Sequence, residues 1–81
     1  MELKQKRKEI DALDETIIKA LEKRFDLSLE IGRAKKKTQS EIKDTKRETE
    51  IREKTAFSAY PEAITAVYDT ILSESKALQR K

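Results

Sequence analysis

The 81-residue sequence contains no cysteine, no histidine and no tryptophan, and only one glycine and one proline. Without cysteine there is no disulfide framework, and without cysteine or histidine the usual zinc constellations and the commonest general base are missing. Any catalysis must therefore use other groups. So few turn residues, with 5% aromatics, exclude a β-sandwich or barrel. No apolar run approaches the roughly 18 residues a spanning helix needs, and the charged start Met1-Glu2-Leu3-Lys4-Gln5-Lys6 lacks the apolar stretch of a secretion signal. The expectation is a cytoplasmic protein that does not engage a membrane. Charge of one sign is not in large excess either. The 19 basic and 16 acidic side chains are spread along the chain, so there is no basic arm to bind nucleic acid.

What is present is 43% charged and 36% hydrophobic residues, the composition of long, solvated helices. Residues 1–81 read as a single domain, too small to bury a sizeable core unless a partner chain adds surface. Ile10, Leu13, Ile17 and Leu21, then Leu27, Ile31 and Ala34, recur in steps that mark one face of a long helix. A helix over about residues 3–37 would be roughly 50 Å long and must lie along a partner helix. The periodicity lapses at Thr38-Gln39-Ser40-Glu41-Ile42-Lys43. Asp44 then offers an N-cap, with Glu48 placed to complement the dipole of a second helix over about Thr45–Phe57. Pro61 fits the first position of a third helix, with Ile64, Val67, Tyr68, Ile71 and Leu72 as its apolar face. The fold class is all-α: one long, one short and one medium helix, forming an intertwined homodimeric bundle.

Apolar stripes alone fit a plain coiled coil or helical adaptor. The discriminating residues are polar ones in apolar places. Arg24 falls on the stripe between Leu21 and Leu27, where an unpaired charge is costly and should meet an anion or a carboxylate. Lys35 follows eleven residues later, about three turns on, and returns to nearly the same face. Ser75 and Gln79 are four apart, on one face near Ile71, Leu72 and Leu78. Arg33, Lys36 and Lys37 read as surface charges.

The run Arg7-Lys8-Glu9-Ile10-Asp11-Ala12-Leu13-Asp14 resembles the opening of the all-helical chorismate mutase family. The resemblance continues through Glu22-Lys23-Arg24, Ile31-Gly32-Arg33-Ala34-Lys35, Asp44-Thr45-Lys46-Arg47-Glu48 and Ser75-Lys76-Ala77-Leu78-Gln79, nearly the whole chain. Glu41 departs from it, standing where the family often has proline. The resemblance implies rearrangement of chorismate to prephenate in phenylalanine and tyrosine biosynthesis, with no cofactor and no metal. It also implies a homodimer whose long helices cross, each site lying within one chain and completed by the partner subunit's Arg7.

The implied reaction is pericyclic and needs neither proton transfer nor a covalent bond to the enzyme, so the missing His and Cys are no obstacle. A protein can supply a compact substrate conformation and donors placed where charge develops. By the resemblance, Arg24 and the partner subunit's Arg7 clamp the two carboxylates, and Lys35 and Gln79 donate to the ether oxygen. Glu48 accepts from the ring hydroxyl, Asp44 and Arg47 shape the start of the second helix and the substrate side of the pocket, and Ser75 donates to a carboxylate. Two alternatives stand beside this reading: isochorismate pyruvate lyase on the same fold, and a non-catalytic helical dimer, either a nucleic-acid binder using Lys6-Arg7-Lys8 and Lys35-Lys36-Lys37 or a scaffold.

Overall fold

The computed structural model describes the backbone of residues 2–38 and 45–81 and the side chains of 2–35 and 45–81. Three α-helices follow one another: α1 (Leu3–Thr38), α2 (Thr45–Ala56) and α3 (Pro61–Gln79). The molecule measures 55 × 24 × 13 Å. Its long dimension is simply α1, whose 36 residues rise about 1.5 Å each.

The ends of α2 and α3 have local causes. At the end of α2 the Ser58 hydroxyl donates to the Thr55 carbonyl (2.6 Å) and its amide reaches the same oxygen (3.2 Å), which satisfies a terminal acceptor and turns the chain. Phe57 therefore lies just past the helix that was expected to include it. Pro61 opens α3 with Glu62 in the first turn, and the Ile64 amide donates to the Tyr60 carbonyl (2.9 Å). The expected loop through Lys43 and the expected N-cap Asp44 lie outside the described residues.

α3 packs against both α1 and α2, whereas the described parts of α1 and α2 do not approach each other closely. The α2–α3 pairing centres on Ile51 and Leu72, each 8% exposed. Around them Thr65 donates to Thr55 (3.1 Å), Lys76 pairs with Glu48 (2.7 Å) and Arg52 with Asp69 (2.7 Å). The Arg52–Asp69 pair is exposed and contributes at most about 1 kcal/mol. The Lys76–Glu48 pair is half-buried and belongs to the cleft described next.

Among the described residues Ile51 and Leu72 are the only buried apolar side chains. Every described residue from Glu2 to Ala20 is exposed, including the expected stripe residues Ile10, Leu13 and Ile17, at 53–61%. Val67, expected on the apolar face of α3, is 57% exposed, whereas Ile64, Tyr68 and Ile71 are half-buried and Leu72 is buried. The first half of α1 therefore carries an apolar face that the other described residues of its own chain do not cover. No helix among the described residues is long and apolar enough to cross a membrane.

Candidate active site

The gap between α1 and α2, closed behind by α3, is a cavity of about 230 Å³. Helical spacing explains its lining. Arg24, Leu27, Ser28, Ile31 and Lys35 recur every three or four residues and so share one face of α1. Arg47, Glu48 and Ile51 do the same on α2, and Leu72, Ser75, Lys76 and Gln79 on α3. Leu27 and Ile31 are about half exposed, at 48% and 45%, because they face this cavity rather than a packed neighbour.

Six of the eight residues singled out from the sequence meet here: Arg24, Lys35, Arg47, Glu48, Ser75 and Gln79. Arg7 does not. It lies on the exposed half of α1, about 25 Å along the axis from Arg24 at the helical rise, too far for its side chain to reach this cavity in its own chain. Asp44 lies outside the described residues.

Arg24 is half-buried, and its Nη1 donates to the hydroxyl of buried Ser75 at 2.6 Å. Ser28, also buried, donates from Oγ to the Arg24 carbonyl (3.1 Å) and keeps the small α1 surface beside the guanidinium filled. Among the described residues no carboxylate pairs with Arg24. The cheapest compensation for a half-buried guanidinium is thus not provided by the described residues, and a hydroxyl leaves its charge intact for an anionic ligand. Glu48, the obvious internal counter-ion, is held instead by Lys76.

Lys76 is a charged cavity residue to which the sequence reading gave no role. It lies three residues before Gln79 and so on the same face as that residue, and the same helical count would have found it. Among the described lining residues Arg24, Lys35, Arg47 and Lys76 face a single carboxylate, Glu48, a formal excess of three positive charges. Gln79 supplies a neutral amide whose Oε1 is buried and has no hydrogen-bond partner among the described residues. An unmet buried polar atom costs about 1–3 kcal/mol, which a bound donor or a reoriented amide can recover. Among the described residues no cluster of His, Cys, Asp or Glu is arranged to hold a metal ion.

The family model of chorismate mutase type II matches residues 6–80. The chain belongs to that family. A bifunctional chorismate mutase/prephenate dehydratase of Aquifex aeolicus (strain VF5) is 38% identical over 88 aligned residues, covering 99% of this chain and 24% of the relative. The chain thus spans about a quarter of that relative's length. No solved structure matches it significantly. Within the chorismate mutase type II family the three helices here need no additional element to bring the six polar residues together. They converge because α3 crosses both other helices at the level of the cavity.

Proposed function

We propose that the chain is a homodimeric chorismate mutase, rearranging chorismate to prephenate in the cavity between α1, α2 and α3. The observation that carries this is the combination, among the described residues, of excess positive charge, an Arg24 guanidinium with no carboxylate partner, and a neutral amide at Gln79 in one small cavity. A dicarboxylate fits that charge. In the reaction the bond between the ether oxygen and the ring breaks as the enolpyruvyl methylene bonds to the ring, and electrons move only within the substrate. Arg24, seconded by Ser75, holds one carboxylate and the partner subunit's Arg7 the other, which favours the folded conformer that brings the reacting carbons together. Lys35 and Gln79 donate to the ether oxygen as it gains negative charge, so they bind the transition state more tightly than the substrate. Glu48, anchored by Lys76, accepts from the ring hydroxyl, and Arg47 lines the substrate side. Asp44 is assigned to the start of α2.

The exposed apolar face on the first half of α1 supports the dimer. Leu3, Ile10 and Ile17 are seven residues apart with Leu13 between them, the spacing of a helix-pairing seam. Arg7, four after Leu3 and three before Ile10, lies on that same face. A second copy crossing there covers the seam and carries its own Arg7 toward the neighbouring site.

Arg7→Ala and Arg24→Ala chains are each expected to be nearly inactive. Refolded together they should recover about a quarter of parent activity, because half of randomly paired dimers are mixed and each mixed dimer holds one intact site. Mixed dimers that recover nothing would refute a site shared between subunits.

The ether donor also sets the pH dependence. Gln79 has no proton to lose, and the chain has no His or Cys, so turnover should vary less than about threefold between pH 5 and 8. Gln79→Glu donates only when protonated, and at neutral pH its carboxylate repels the developing charge. Its kcat should therefore fall as pH rises through that range, by up to about tenfold per unit. A parent enzyme that loses activity steeply from pH 5 to 7 would overturn the donor assignment. Assaying isochorismate in parallel separates the pyruvate-lyase reaction, and turnover of that substrate alone would replace the mutase reading.

A further inference from the structure

Gly32 is the chain's single glycine, and it lies inside the 36-residue α1, away from either end. Glycine is a poor residue for a helix interior, and no turn or left-handed backbone at this position calls for one. Its surroundings supply the reason. A Cβ at position 32 would fall 2.6 Å from the Cα and 2.8 Å from the carbonyl carbon of Gln79, and would collide with the Gln79 carbonyl oxygen. These are backbone atoms, which cannot rotate aside as a side-chain tip could. Gly32 is buried under that turn, and one helical turn earlier Ser28 and Ser75 are buried as well. α1 and α3 therefore pack backbone against backbone where the last turn of α3 carries Gln79.

Gln79 is the final residue of α3, and the Arg80 amide reaches back to the Lys76 carbonyl at its C-cap. Terminal turns fray unless tertiary contacts hold them. We infer that Gly32 is a positioning residue: by lacking a side chain it seats the Gln79 backbone directly on α1, and so fixes the Gln79 amide in the cavity. This rests on the chorismate mutase reading for its catalytic consequence, though not for the contact itself. Ordinary carbon contacts lie near 3.5–4 Å, so alanine at 32 must push the turn away by about 1 Å. A misplacement of that size can cost about a hundredfold in rate.

The test compares the parent with Gly32→Ala, Gln79→Ala and the double variant, measuring kcat and KM for chorismate, helix content, dimer mass, and amide hydrogen exchange at residues 78–81. Gly32→Ala is expected to keep its helix content and dimer, since alanine is the better helix former. It should lower kcat by about ten- to a hundredfold with KM within about threefold, and speed exchange at 78–81. In the Gln79→Ala background the same substitution should change kcat by less than about threefold, because the group being positioned is already gone. Parent-like kcat and exchange in Gly32→Ala would overturn the inference. So would an equal loss of kcat in both backgrounds, or loss of the dimer or of helix content, each of which marks a general packing role. If the parent itself leaves chorismate unchanged, the mutase reading fails separately, and exchange at 78–81 alone decides whether Gly32 seats the turn.

Discussion

Replacing Lys35 by alanine is expected to lower kcat for chorismate by at least about a hundredfold, equivalent to roughly 3 kcal/mol of transition-state stabilisation. Lys35 is half-buried in the cavity wall on the α1 face that also carries Arg24. From there its ammonium can donate to an ether oxygen whose charge grows as the bond to the ring lengthens. Because that charge is small in the substrate and large in the transition state, the loss should appear mainly in kcat. Lys76 is not a substitute, since it is engaged with Glu48 on the α2 side. The check is the decay of chorismate absorbance at neutral pH for parent and variant at matched dimer concentration. Turnover by Lys35→Ala within a few-fold of the parent would remove Lys35 from the mechanism.

Ile17→Asp should be the most damaging surface-looking substitution. Ile17 is 53% exposed in a single chain, so on the protomer alone a polar replacement would be nearly neutral. If a second copy covers the seam, the carboxylate is buried twice over by symmetry, each at a cost of several kcal/mol. A chain with two buried apolar side chains of its own among the described residues has little to set against that loss. Sedimentation and far-ultraviolet circular dichroism at micromolar concentration should show a monomer with most helix lost. Lys19→Asp, on the opposite face of the same turns, should leave both signals within error. A folded, dimeric Ile17→Asp protein would exclude this face as the interface.

How much of this was legible beforehand depended on the range of the interaction concerned. α1 was expected over about 3–37 and runs Leu3–Thr38, and α3 begins at Pro61 as expected. Such limits follow from periodicity, proline and capping chemistry within a few residues. α2 ends at Ala56 rather than Phe57 because the Ser58 hydroxyl takes the Thr55 carbonyl, a local contact with a weak sequence signature. Side-chain partners were harder to read. Arg24 was expected to meet an anion or a carboxylate; among the described residues it donates to the Ser75 hydroxyl, while the nearby Glu48 is taken by Lys76. Ser75, placed by helical spacing beside the apolar row of α3, is 4% exposed.

By itself the sequence determined three helices, the limits of the first two and the start of the third to within a residue or so, and which polar side chains share a face. All of these depend on a rise and a rotation that every α-helix has in common. Only the tertiary structure decided at what height α3 crosses α1 and α2. That height selects Ser75 as the partner of Arg24, gives Lys76 to Glu48, and sets Gly32 directly under Gln79. The physical reason is that a crossing point is fixed by side-chain volumes and backbone clearances summed over the whole contact, and no short stretch of sequence encodes that sum.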